Sequence, residues 1–150
     1  MKVFVDAWAW IAMVSNGDRW HTAASLEARR LREEGARLIT TNLALYEAYT
    51  RAGHDAGRDA AVALHRLVQQ SRREPLGLTV AYVHEALEQE GWGIFEAYRD
   101  KTLSFADCVA FALMRREGIA TAFTGDDHFR QMGFVTVPAA AHPEQRGAGT

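Results

Sequence analysis

Five short β-branched or aromatic runs alternate with helical segments along this chain, and that alternation limits the fold more than any other feature. Lys2 to Asp6 reads as a buried strand running straight into a helix through Met13. After the Asn16-Gly17-Asp18 turn, a helix from Thr22 to Glu34 puts Leu26, Ala28 and Leu31 on one stripe and stops at Gly35. Arg37 to Thr40 is the second strand, and Asn42 is placed to cap a helix that ends near Gly53. Asp59 to Ser71 is helical, and Pro75 separates it from a third strand, Leu76 to Val80. A helix from Tyr82 to Tyr98 is expected to break or kink at Gly91 and Gly93, whereas Ser104 to Glu117 is apolar nearly all round and should lie deep. Ala120 to Thr124 as a strand, Asp127 to Met132 as a short helix and Phe134 to Val137 as a strand complete the series. The pattern predicts an α/β fold with a mainly parallel central sheet of about five short strands, covered on both faces.

At 150 residues the chain is long enough for one ordinary core. The expected division is a single folded domain over 1–138 and a flexible tail over 139–150, where Pro143, Gly147 and Gly149 fall. The lone cysteine, Cys108, excludes an internal disulfide and sits in an apolar helical stretch, so it reads as core. No apolar run reaches the roughly 18 residues of a membrane span, and the N-terminal stretch lacks a signal-type basic flank; a cytoplasmic protein without membrane contact is the expectation. A net charge of −2 gives no general footprint for nucleic acid, and the clusters at Arg29-Arg30, Arg72-Arg73, Arg99 to Lys101 and Arg115-Arg116 are interleaved with acids as on a solvated helix face.

Against this background four acids occupy unusual surroundings. Asp6, Glu47 and Asp107 are each the only charge in an otherwise apolar run, and Asp126 follows Ala120-Thr-Ala-Phe-Thr-Gly125. Burial of an isolated carboxylate is costly without a compensating cation, and no equally buried Lys or Arg lies nearby in sequence. In open α/β sheets the working crevice lies at the carboxyl ends of the strands. Asp6 ends the first strand, Asp126 closes the fourth, Glu47 is on the helix after the second, and Asp107 opens the buried helix that leads into the fourth.

Each acid also has a structural reading: Asp6 and Asp126 as helix caps, Asp107 as the end of a capping box from Ser104, and Glu47 as the partner of Arg51. Capping does not explain why the helices are so apolar around their acids. Two carboxylates about 4 Å apart repel by roughly 4 kcal/mol at an effective dielectric of 20. One or two Mg²⁺ or Mn²⁺ ions reverse that sign, because hard cations select oxygen ligands, and such a site suits in-line phosphoryl displacement. The six histidines, His21, His54, His65, His84, His128 and His142, show no zinc-ligand spacing, and phosphate-binding, dinucleotide and hydrolase-elbow glycine motifs are absent.

Five segments occur in order: the strand ending Asp6-Ala-Trp-Ala-Trp-Ile, Asp18-Arg-Trp-His-Thr-Ala-Ala24, Thr40-Thr-Asn-Leu-Ala-Leu-Tyr-Glu47, Leu103-Ser-Phe-Ala-Asp107 and Thr124-Gly-Asp126-Asp-His128-Phe129. In this order and spacing the chain, over about residues 2–137, resembles the PIN domain, and more narrowly the VapC-type toxin ribonucleases of prokaryotic toxin–antitoxin pairs. The resemblance implies an α/β/α sandwich, Mg²⁺-dependent endoribonuclease activity with Mn²⁺ able to substitute, an RNA substrate, homodimerisation, and inhibition by a small cognate antitoxin that reaches a basic group into the acidic pocket. It assigns Asp6, Glu47, Asp107 and Asp126 as catalytic and metal-holding residues, with Thr124 beside them.

Two positions depart from that family. Trp8 stands where a small or hydroxylated residue is usual, narrowing the site or offering a ring for a base to stack on. Asp127 adds a carboxylate next to Asp126, with the spacing favouring Asp126 for the metal. Two alternatives compete: a PIN-like module that only binds RNA or protein, and a phosphatase resembling the haloacid dehalogenases. Trp8 occupies the position where the latter needs a second Asp.

Overall fold

The structure, a computed structural model, describes residues 1–143. Its elements in order are β1 (Lys2–Val5), α1 (Ala7–Val14), α2 (His21–Glu33), β2 (Arg37–Thr41), α3 (Asn42–Ala56), α4 (Arg58–Arg73), β3 (Leu78–Ala81), α5 (Glu85–Ala97), α6 (Phe105–Glu117), β4 (Thr121–Phe123), α7 (Asp127–Gln131) and β5 (Val135–Val137). The five strands form one sheet in the order β3-β2-β1-β4-β5, and every neighbouring pair is parallel.

Because successive strand side chains point to opposite faces, β1 feeds two cores. Val3 and Val5 pack with Trp10, Leu31, Leu45 and Leu64 on one side of the sheet. Phe4 joins Leu87, Phe111, Met114 and Phe129 on the other. Helices therefore cover both faces, as parallel strands without a polar face require. The order of the strands places the topological switch between β1 and β4, where Val3 pairs with Thr121 and Val5 with Phe123. Their carboxyl ends diverge into α1 on one side and the Thr124 turn on the other, so the crevice falls where Asp6 and Asp126 emerge.

The structure departs from the sequence reading in several places: Leu26, expected on the inward stripe of α2, is exposed, and β3 begins at Leu78 with Leu76 exposed before it. The helix holding Gly91 runs unbroken from Glu85 to Ala97, its start fixed by His84, whose ring accepts the Leu87 N–H at 3.3 Å. Gly91 serves packing instead of bending: a Cβ there would lie 2.7 Å from a Val109 methyl, so the missing side chain lets α5 approach α6 closely. Thr41, not Asn42, caps α3 by accepting the Ala44 N–H at 3.0 Å, while the Asn42 side chain accepts the Val83 N–H at 2.9 Å and ties α3 to the end of β3. Finally, the segment from Ala139, expected to begin a flexible tail, forms a 3₁₀ turn over Ala139–Ala141 and buries His142 completely. Packing thus continues past the expected boundary at 138, and residues 144–150 of that tail lie outside the described residues. Among the described residues no helix is long and apolar enough to cross a membrane.

Candidate active site

Asp6 is delivered by β1, and its backbone N–H donates to the Phe123 carbonyl at 3.1 Å, extending the β1–β4 pairing by one step. It stands at the N-cap position of α1, yet its side chain makes no capping bond. Its carboxylate instead accepts from the Thr124 hydroxyl at 2.8 Å. The same Thr124 oxygen accepts the Asp126 N–H at 3.0 Å, so one hydroxyl spans the two strand ends. Asp126 caps α7 by accepting the His128 N–H at 2.9 Å, and the His128 Nδ1 lies 3.2 Å from the same oxygen.

Asp107 enters from the first turn of α6, which Ser104 caps by accepting the Asp107 N–H at 3.0 Å. Glu47 projects from α3 with Arg51 at 3.7 Å. Every structural reading except the Asp6 cap is therefore realised, and the acids still converge. Burial first, then the negative charge of Asp107, lifts the Asp6 carboxyl to about 7, with Asp126 adding to the rise and the Thr124 hydroxyl opposing it. Burial and then the charge of Asp126 lift Asp107 to about 6, with a further push from Glu47 and a counter-pull from Ser104. Electrostatics thus link all four acids.

The expectation that all four acids are buried needs correction. Only Asp6 is, at 7% exposure; Glu47, Asp107 and Asp126 are partly open to solvent. The apolar residues that follow Asp107, from Cys108 to Met114, do lie in the core. Asp107 itself occupies the first turn of α6, where its side chain is only partly buried. Cys108 is wholly buried, and burial followed by the neighbouring Asp107 charge pushes its thiol up to about 11, which suits a core residue and not a nucleophile.

Asp107, Asp126 and His128 each offer one ligand atom, and these atoms lie within 4.8 Å of one another. The donors fit a divalent cation: two carboxylates and one imidazole meet, Asp6 is tied to Asp126 through the Thr124 hydroxyl, and burial followed by neighbouring carboxylates raises the pKa of Asp6 and of Asp107. His128 is the member that sequence reasoning passed over. Its signal was local: a residue two after a helix-capping Asp returns to the same end of a short helix.

Asp127 turns away from this group, with its Oδ1 3.1 Å from the His142 Nδ1 and 3.9 Å from the Arg130 Nε. Trp8 forms a wall. Its indole lies so close to Gly125 that a Cβ there would fall 2.2–2.5 Å from three ring atoms, and its ring is tilted against Trp20 at 6.3 Å between centroids. Arg19 covers the Trp20 ring at 4.7 Å. The aromatic wall therefore stands directly beside the peptide that joins Thr124 to Asp126.

The model of the PIN domain matches residues 3–135 of this chain. Among curated proteins, the 23S rRNA-specific endonuclease VapC20 of Mycobacterium tuberculosis is 31% identical over 135 residues, spanning 90% of this chain and 97% of that protein. The crystal structure of M. tuberculosis VapC20, described as a sarcin–ricin loop cleaving toxin, superposes with a TM-score of 0.77 over 90% of this chain and 98% of that one. VapBC2 from Rickettsia felis, solved with a DNA fragment from its promoter, shares the fold alone: its TM-score is 0.67 at 8% identity, over 91% of this chain and 98% of that chain.

Proposed function

Because the chain belongs to the PIN domain family, we propose that it is a divalent-metal-dependent endoribonuclease acting as the toxin of a toxin–antitoxin pair. The observation that carries the reading is the meeting of Asp6, Asp107 and Asp126 at the β1–β4 switch, with Asp6 and Asp107 raised by burial and then by neighbouring carboxylates. A binding module has no use for such repulsion, whereas a hydrolase that recruits a cation does.

In this reading Asp107 and Asp126, whose ligand atoms lie with that of His128 within 4.8 Å of one another, hold Mg²⁺ or Mn²⁺ together with Asp6, and Glu47 completes the acidic group. When bound, the ion activates water and offsets charge on the departing oxygen of the phosphodiester. Thr124 fixes the orientation of Asp6, and the Ser104 cap fixes the first turn of α6 that carries Asp107. Trp8 and Trp20 bound the entrance and restrict which backbone can approach. The substrate is structured RNA, and the 31% identity to VapC20 makes a ribosomal stem-loop the first to test. Incubating the purified chain with 23S rRNA fragments in Mg²⁺, Mn²⁺, Zn²⁺ or EDTA decides the matter: discrete cuts in the first two alone support the mechanism, and cleavage that survives chelation ends it.

The partners proposed are a small cognate antitoxin, which brings a cationic side chain to the acids, and a second copy of the chain. Trp92 and Phe95 on α5, each 41% exposed and in edge contact at 5.6 Å, supply an apolar patch for the dimer. A concentration-independent mass near 16.7 kDa by light scattering would rule the dimer out.

A further inference from the structure

His142 lies beyond the stretch that matches the family model, which ends at residue 135, yet it is wholly buried against the turn that carries Asp126. Its Nε2 is 2.7 Å from the Thr124 carbonyl oxygen. A carbonyl can only accept, so Nε2 carries the proton and donates. Its Nδ1 lies 3.1 Å from Asp127 Oδ1, which Arg130 faces at 3.9 Å from the other side. The ring therefore lies within hydrogen-bond distance of both ends of the Thr124–Asp127 turn. Between those two contacts lie the Thr124 hydroxyl that holds Asp6 and the backbone N–H of Asp126 that the same hydroxyl accepts.

We infer that His142 is a positioning residue for the cation site: from behind the turn it sets the spacing of Asp126 from Asp6, touching neither cation nor RNA. The inference rests on the metal-dependent reading above. It explains why the chain continues from β5 through Ala139–Ala141 and packs back onto the site. The Thr124 contact is the more consequential of the two, because Thr124 is fully buried and bonded to Asp6, whereas the Asp127 side chain is 45% exposed.

Two variants of the full chain separate the two contacts. In His142→Gln the longer amide can reach the Thr124 carbonyl, and in His142→Asn the shorter one reaches only toward Asp127. Both are smaller than the ring, and their melting temperatures are recorded alongside. Mn²⁺ alone, without RNA, is titrated into each protein and free Mn²⁺ is read by electron paramagnetic resonance. Histidine-to-asparagine exchange is expected to raise the half-saturating Mn²⁺ concentration about tenfold, the size usual for groups that orient ligands from behind. The Gln variant should stay within about threefold of the parent. A role confined to packing makes Mn²⁺ affinity follow melting temperature instead, with no preference for Gln. Equal Mn²⁺ binding by all three folded proteins overturns the inference, as does failure of the parent to bind Mn²⁺. A parent that binds Mn²⁺ and shows the expected order, but cuts no RNA, leaves the positioning role standing and removes the ribonuclease reading.

Discussion

Thr124 and Asp6, 118 residues apart, are joined by a hydrogen bond of 2.8 Å in which the hydroxyl donates to the carboxylate. Both groups are buried, and this bond opposes the rise in the Asp6 pKa that burial imposes. The hydroxyl also accepts from the Asp126 amide, so one side chain sets two acids against each other.

Replacing Thr124 by Val keeps the shape and removes both bonds. The Asp126 amide and the Asp6 carboxyl lose a partner, and the protein should lose about 1–3 kcal/mol. The Asp6 carboxyl should also titrate higher than the parent value of about 7. Carbon-detected NMR titration of metal-free protein checks this, and an unchanged Asp6 titration contradicts the assigned contact.

Asp6 and Asp107 are raised from 3.8 to about 7 and about 6 respectively. Between the unfolded and folded pKa values the folded state binds more protons than the unfolded one, so stability from these groups is fully present below the unfolded pKa and is lost as pH rises through the folded values. In EDTA the unfolding free energy should therefore fall between about pH 4 and pH 7 by an amount on the order of a few kcal/mol, and the melting temperature should fall with it. Mn²⁺ should restore stability most at the alkaline end, where the carboxylates are charged. A flat profile in EDTA would show that neither carboxyl is raised by the fold.

Asp107→Asn removes charge from a crowded site while keeping an acceptor near the Ser104 cap. Metal-free protein at neutral pH should gain on the order of 1 kcal/mol. Cleavage should fall by orders of magnitude because a hard ligand is lost. Opposite signs in the two assays are the expected outcome. If cleavage persists and stability drops, Asp107 acts only through helix capping.

Gly125→Ala places a methyl against the Trp8 indole, within 2.5 Å of its atoms, so the ring or the turn must move. Cleavage and stability should both fall. Pairing it with Trp8→Ser opens the space, and the double variant should recover most of the stability lost to Gly125→Ala. Calorimetry of the three variants gives the coupling directly. Strictly additive losses would mean that the contact carries no weight.

Most of the element order was readable because the short strands are bounded by turn residues and most helices keep an apolar stripe; in α2 the stripe was misplaced, since Leu26 is exposed and Glu27 is buried. Asp6, Glu47, Asp107 and Asp126 could be marked as candidates because their neighbours are apolar. What escaped depended on groups distant in sequence. Whether Thr41 or Asn42 caps α3 turns on the Val83 amide, some 40 residues away, which engages Asn42 first. Gly91 looked like a break because the residue it accommodates, Val109, lies on another helix. The burial of the acids was overread, since the apolar run after Asp107 describes the buried body of α6 and not its solvent-facing end. His142 was weighed only for zinc-ligand spacing, which it lacks, and its return to the Thr124 carbonyl is what gives it a place.

The β3-β2-β1-β4-β5 order has a consequence for synthesis. β1 leaves the ribosome first but pairs on one side with β4, whose residues are made more than a hundred positions later. A nascent chain that stops short of Thr121 holds Asp6 with no Thr124 hydroxyl to orient it and no Asp126 to share it. Closure over so long a span is slow and comes late. The acidic site is therefore assembled only after Asp126 has been made, and a copy interrupted before that point carries Asp6 without the partners that complete it.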